Sequence, residues 1–271
     1  MHYRVLGAGD FTFVLEAGLG DYSGSWIPLE SALARIGRVF VYDRAGLGWS
    51  DASPHPRTAQ QVAAELHQLL EAARVPKPYI LVGHSLGGIS QLRFALDYPD
   101  GVAGLLLIDP SHKDQLKRLP APPAVFTYLL PQLTRLAPCG LPQLLFRSAD
   151  PVQNLTSHVE TSGAELRAFL ASDETWGERP AKVGPIPLYV LTAGDSSGLP
   201  GESPAAKQAA WETWKALHAE LVAGSSSEIH RQVVIEGASH YIHRAKPESV
   251  AAAARELVGR ITEATPNPGK N

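Results

Sequence analysis

Tyr79-Ile80-Leu81-Val82-Gly83-His84-Ser85-Leu86-Gly87-Gly88 is the stretch on which the reading of this chain turns. Four apolar residues read as a strand, and a helix is predicted from Gly88 through Leu96. Between them, Gly83-His84-Ser85-Leu86-Gly87 has the Gly-x-Ser-x-Gly form. The chemistry asks for this order of elements. A serine on a tight strand-to-helix turn projects clear of the sheet. Small residues at Gly83 and Gly87 let neighbouring backbone pass close by. The helix N-terminus adds free N–H groups and partial positive charge beside the hydroxyl. Ser85 is therefore read as a nucleophile.

Outward from this turn, short apolar runs alternate with amphipathic stretches, the pattern of a mostly parallel α/β sheet flanked by helices. Strands are predicted at Phe11–Glu16, Arg38–Tyr42, Leu105–Ile108, Leu188–Leu191 and Gln232–Ile235. Most are continuously apolar, as suits strands covered on both faces. Thr58 and Gln61 have the spacing of a capping box, and Val62, Leu66, Leu69 and Leu70 follow on one face. Trp211, Trp214, Leu217 and Leu221 form a second stripe, and a last helix opens at Pro247. The alternation breaks over residues 111–181, where six prolines between Pro120 and Pro142 mix with Phe126, Tyr128, Leu129 and Leu130. That segment is read as a mainly helical insertion. The core would then comprise 1–110 and 182–265, with a frayed tail at 266–271.

A serine hydroxyl is a weak nucleophile near neutral pH and needs a base beside it. Of ten histidines, His240 is best placed, in the loop Glu236-Gly237-Ala238-Ser239-His240-Tyr241 after the last strand. His243 competes with it, while His84 and His112 read as structural. The composition bounds the partners. The chain has 271 residues, 44 % hydrophobic and 19 % charged, with a net charge of −3 and no long run of one sign. These values suit a globular domain and give no reason to expect nucleic acid. No uncharged apolar stretch reaches about 18 residues, so no membrane span is expected. The N-terminus lacks the apolar core of a secretory signal, which suggests a cytoplasmic location. Cys139 is the only cysteine and sits among prolines, away from any acid or base motif. No His/Cys/Asp cluster has zinc-ligand spacing, and neither metal nor cofactor is expected. Asn154-Leu155-Thr156 reads as a chance glycosylation pattern. Gly18-x-Gly20-x-x-Ser23 lacks the third glycine of a dinucleotide fingerprint.

From about Tyr3 to Ile261 the chain resembles the α/β-hydrolase superfamily. The likeness rests on Gly83-His84-Ser85-Leu86-Gly87-Gly88, Tyr42-Asp43-Arg44-Ala45-Gly46-Leu47-Gly48-Trp49-Ser50, Leu107-Ile108-Asp109-Pro110 and Gly237-Ala238-Ser239-His240. It implies an α/β-hydrolase fold in which 111–181 is a cap over the active site. It also implies a triad in the chain order serine, acid, histidine. Asp109 is the favoured acid, since it ends the strand after the nucleophile's. Asp195 is the alternative, after the later strand where the superfamily more often carries its acid. An oxyanion hole would use the N–H of Leu86 and a second donor from the loop after Glu16. Relatives commonly carry His-Gly-x in that loop. This chain has Ala17-Gly18-Leu19-Gly20, which makes Leu19 the second donor and leaves the bracing histidine out.

The function expected is hydrolysis of a small carboxylic ester through an acyl-enzyme. Superfamily dehalogenases and epoxide hydrolases use an aspartate nucleophile, so serine at position 85 argues against both. Amide, lactone or carbon–carbon bond hydrolysis is the alternative within enzymes, and a small-ligand receptor with slow turnover is the alternative outside them. An aminopeptidase would need acidic groups in the cap. Glu160, Glu165, Asp173 and Glu174 could serve, although they read more simply as a solvated helical face.

Overall fold

Seven strands form one sheet in the computed structural model, which describes residues 1–145, 148–171 and 183–264. They are β1 (Tyr3–Leu6), β2 (Thr12–Glu16), β3 (Arg38–Tyr42), β4 (Tyr79–His84), β5 (Val102–Ile108), β6 (Leu188–Ala193) and β7 (His230–Ile235). Across the sheet they run β1-β3-β2-β4-β5-β6-β7, and all neighbours are parallel except β1 with β3. Sequence reasoning missed β1. It is an edge strand whose residues alternate between exposed and half-buried, so it carries no continuous apolar run.

Helices cover both faces: α1 (Ile27–Ala34), α2 (Ala59–Ala72), α3 (Leu86–Asp97), α4 (Thr156–Leu170), α5 (Pro204–Ala223) and α6 (Pro247–Ala264). Successive strand residues point to opposite faces, and the core divides accordingly. Phe13, Val41, Ile80, Val82 and Ile108 pack with Leu29 and Leu33 of α1 and with Val250 and Leu257 of α6. Val14, Phe40, Leu81, Leu105 and Leu107 pack with Leu66 of α2, Ile89 of α3 and Leu221 of α5. Burying each such side chain contributes roughly 1.5–3 kcal/mol, which is why these strands read as unbroken apolar runs. At the start of α2, the Thr58 hydroxyl accepts from the Gln61 N–H at 3.2 Å, while the Gln61 side chain donates to Glu65 at 3.2 Å. Half of the expected capping box therefore forms.

Between β5 and β6 the described residues contain no strand. They form short helical turns at Gln115–Arg118, Leu130–Leu133 and Leu141–Leu145, followed by α4. Part of the segment expected as an insertion (146, 147 and 172–181, with Asp173 and Glu174) lies outside the described residues, as does the expected tail at 266–271.

The sheet order places the working loops. The chain winds from β2 to β3 on one side, then returns to add β4 on the other side of β2. The β2 and β4 carboxyl ends therefore flank a topological switch point, where open α/β sheets form their crevices. Register completes the arrangement: Glu16 pairs with Gly83, and His84 pairs with Ile108. The next residues, Ala17 and Gly18, Ser85, and Asp109, thus leave three adjacent strands at one edge.

Candidate active site

Ser85 sits between the last residue of β4 and the first of α3, with φ 53° and ψ −121°. Its N–H donates to the Ile108 carbonyl at 3.1 Å, which ties the turn to β5. The flanking glycines are required by close backbone approach. A Cβ on Gly87 would lie 2.4 Å from the Glu16 carbonyl oxygen, and one on Gly83 would lie 2.6 Å from that of Gly87. Leu86 is the first residue of α3, where a helix leaves its N–H groups without intrahelical partners.

Asp109 follows β5 in a left-handed conformation, φ 43°, and is 2 % exposed. Three donors converge on its carboxylate. His240 Nδ1 lies 2.7 Å from Oδ2, while the Ala193 N–H and the Trp214 indole N–H donate to Oδ1 at 2.8 and 3.0 Å. Burial pushes this carboxyl up, but the His240 hydrogen bond, the nearby His218 and the Ala193 N–H outweigh it and hold it below its ordinary value. A carboxylate only accepts, so Nδ1 carries the proton in this contact, and in the neutral form of the ring the lone pair lies on Nε2. His84 braces the same loop: its Nε2–H donates to the His240 carbonyl at 3.0 Å. His84 is 1 % exposed, and burial, with His240 and His243 nearby, holds it well below the usual histidine range. His243 is fully buried against Trp26, with ring centroids 4.5 Å apart. The Asp195 carboxylate instead accepts from the Ser197 N–H at 2.8 Å and the Ser197 hydroxyl at 2.9 Å, within its own turn.

The loop Ala17–Gly20 lies against the nucleophile turn: a Cβ on Gly18 would sit 3.4 Å from Ser85 Cβ. A buried ionic network holds the loop in place. Arg44 Nη1 donates to the Ala17 carbonyl at 2.6 Å and to Glu16 at 3.2 Å. Arg44 Nη2 donates to the Gly18 carbonyl at 2.7 Å and to Glu165 Oε2 at 2.9 Å, and Nε donates to Glu165 Oε1 at 2.6 Å. Glu165 Oε2 also accepts the Gly20 N–H at 3.0 Å. Burial opposes the charge on Arg44, but Glu165 and Glu16 outweigh it and hold the guanidinium protonated. Burial pushes Glu16 up to about 7 against the opposing pull of Arg44 and the Tyr42 hydroxyl, which donates to it. Glu165 is 1 % exposed, which corrects its reading as part of a solvated face; Glu160 on the same helix is exposed. Sequence reasoning missed this network, because Arg44 and Glu165 are 121 positions apart with no local signal linking them.

A cavity of about 460 Å³ opens at this edge, lined by Ser85, Asp109 and His240 together with Leu116, Leu119, Pro122, Pro123, Asp195, Trp211 and Trp214. Leu19 and Leu86 do not line it. Among the described residues, no group of three His, Cys, Asp or Glu is arranged to hold a metal ion. No helix among them is long and apolar enough to cross a membrane.

Comparison with known proteins agrees with this architecture. The protein named "Uncharacterized protein YqjL" from Bacillus subtilis (strain 168) is 31% identical over 244 residues, which is 90% of this chain and 82% of that one. A thermophilic esterase from Thermogutta terrifontis superposes with a TM-score of 0.63 at 23% identity, covering 96% of this chain and 93% of its own. The enol-lactonase from Burkholderia xenovorans LB400 gives a TM-score of 0.64 at 21% identity, with 95% and 96% covered. At these identities the two structures establish the fold alone. The family profile matches residues 13–253, and the chain belongs to the alpha/beta hydrolase family.

Proposed function

We propose that this hydrolase cleaves carboxylic esters of small molecules through an acyl-enzyme on Ser85. The observation that carries the reading is the 2.7 Å contact between His240 Nδ1 and Asp109, two residues that line the same cavity as Ser85. It leaves His240 Nε2 free to act as general base. In the first step, Ser85 Oγ attacks the ester carbonyl and its proton passes to Nε2. The tetrahedral intermediate collapses as that proton moves to the departing alcohol. Water then repeats the sequence, releasing the acid and restoring Ser85. Asp109 holds the ring and stabilises its transient positive charge. The N–H groups of Leu86 and Leu19 receive the oxyanion, each such donor contributing roughly 3 to 4 kcal/mol to the transition state.

Residues 111–181 serve as a cap in this reading. Leu116, Leu119, Pro122 and Pro123 line the cavity with Ser85, and Glu165 and His158 of α4 hydrogen-bond Gly20 in the loop after β2. The test is a serine-directed phosphonate with peptide mass mapping, run beside steady-state turnover of a 4-nitrophenyl ester by wild type and Ser85→Ala. The label is expected on Ser85, and turnover is expected to fall by several orders of magnitude in a folded Ser85→Ala protein. Ligand binding without turnover in the wild type, or undiminished turnover in the variant, would overturn the reading.

A further inference from the structure

We propose that Glu165 and Arg44 are positioning residues that aim the Leu19 N–H at the oxyanion, doing the work of the bracing histidine this chain lacks. The inference rests on the acyl-transfer reading above. Leu19 lies between two pinned points. On its N-terminal side, Arg44 holds the Ala17 and Gly18 carbonyls at 2.6 and 2.7 Å. On its C-terminal side, Glu165 accepts the Gly20 N–H at 3.0 Å, and His158 Nε2–H donates to the Gly20 carbonyl at 3.0 Å. Both peptide planes adjoining Leu19 are therefore fixed by groups 1–3 % exposed. The Leu19 side chain is 37 % exposed, so its own packing cannot set the loop's conformation.

Arg44 and Glu165 meet through two donor–acceptor pairs, Nε to Oε1 at 2.6 Å and Nη2 to Oε2 at 2.9 Å. Such a fork fixes direction as well as distance, which a lysine ammonium cannot do. Because Glu165 comes from α4, the donor geometry depends on where α4 sits. The segment proposed as the cap thereby contributes to the oxyanion loop as well as to the cavity wall.

Comparing an oxoester with the matching thionoester isolates this role. Sulfur is a weaker and longer-reaching acceptor than oxygen, so a well-aimed oxyanion donor favours the oxoester. Damage to folding or binding slows both esters alike, and their ratio is independent of the fraction of molecules folded. For Glu165→Gln we expect the oxoester kcat to fall about 10- to 100-fold with KM within threefold, and the oxo/thiono ratio of kcat/KM to fall about tenfold. Arg44→Lys, which keeps the positive charge, should lower the ratio in the same direction. An unmoved ratio in both variants, with wild type and Ser85→Ala behaving as above, overturns the positioning role and leaves the acyl-transfer reading intact. A wild type without serine-dependent turnover overturns both.

Discussion

Ser85 and Asp109 occupy the same register step on neighbouring parallel strands, and both hold a left-handed backbone. His84 of β4 pairs with Ile108 of β5. The residues that follow have φ 53° and 43°, in a region that non-glycine residues seldom enter. The two reversals turn both side chains off their strands at one edge of the sheet. Each costs of order 1–3 kcal/mol and persists because the surrounding core over-determines it. Ser85 donates its N–H to the Ile108 carbonyl and Asp109 donates its own to that of Leu191, so each reversal is anchored on the next strand.

That strain can be measured. At φ 53° and ψ −121° Ser85 adopts the mirror image of an ordinary extended conformation, which glycine enters freely and alanine does not. Ser85→Gly should be more stable than Ser85→Ala by about 1 kcal/mol, even after the entropy glycine gains in the unfolded chain. Denaturant midpoints of the two inactive variants check this. A glycine variant less stable than the alanine variant would mean that the turn is not strained.

Asp109→Asn tests the proposed acid without disturbing its backbone, because asparagine tolerates the left-handed region. The asparagine amide would donate where the carboxylate accepts, and His240 would be held in the wrong tautomer. A loss of about 10³- to 10⁴-fold in kcat is expected. Asp195→Asn should stay within about threefold of wild type, since among the described residues that carboxylate takes its hydrogen bonds from Ser197 in its own turn and none from His240. Parallel kinetics on the two purified variants decide between them, and the reverse ranking would move the acid role to Asp195.

The sheet is legible in the sequence wherever burial on both faces writes a continuous apolar run, as at Tyr79–Val82 or Leu188–Leu191. It is illegible at β1, where Tyr3 and Val5 remain 42% and 50% exposed on an edge. The turn at Ser85 is equally readable, because its glycines answer to backbone contacts within a few residues and across one strand. The choice between Asp109 and Asp195 is harder to read, since both follow apolar strands. What separates them is a backbone reversal at Asp109 and a donor, Trp214, 105 positions away. Glu165 is harder still. Its helix carries exposed Glu160 as well, and only the fold reveals that one carboxylate faces solvent while the other meets a buried guanidinium.

His243 should make the protein sensitive to acid. It is fully buried between Trp26 and His84, and neither ring nitrogen has a hydrogen-bond partner among the described residues. Burial, then the charges of Arg244 and His240, push it down to about 3. In the unfolded chain it titrates near 6.5, so as pH falls below that value the unfolded state takes up the proton first. Stability from this group is complete above about pH 6.5 and declines towards pH 3, by up to about 1.4 kcal/mol per pH unit. His243→Phe keeps the aromatic packing and removes the titration. Between pH 7.5 and 4.5 the variant should lose about 2 to 3 kcal/mol less than wild type in denaturant unfolding. Equal losses would show that the ring is not held neutral.

The cavity should favour uncharged, apolar acyl groups. Its walls include Leu116, Leu119, Pro122, Pro123, Trp211 and Trp214, and among the described residues no lysine or arginine lines it. Both indole N–H groups are already engaged, Trp211 with the Ala193 carbonyl at 2.7 Å and Trp214 with Asp109 at 3.0 Å. The rings therefore have little to offer a polar substrate beyond their apolar surface. A substrate carboxylate would lose hydration there without gaining a cation, beside the carboxylate of Asp195. Among neutral 4-nitrophenyl esters, kcat/KM should rise about fourfold per added methylene, the equivalent of about 0.8 kcal/mol, until the cavity is filled. The 4-nitrophenyl monoester of succinic acid should fall about 100-fold below the neutral ester of the same length. Trp211→Ala should flatten the chain-length slope while leaving the acetate ester within about threefold, because an acetyl group carries no methylene to bury against that wall. Steady-state kinetics over this panel are sufficient. Equal rates for the charged and neutral esters of matched length would show that the acyl group does not enter this cavity.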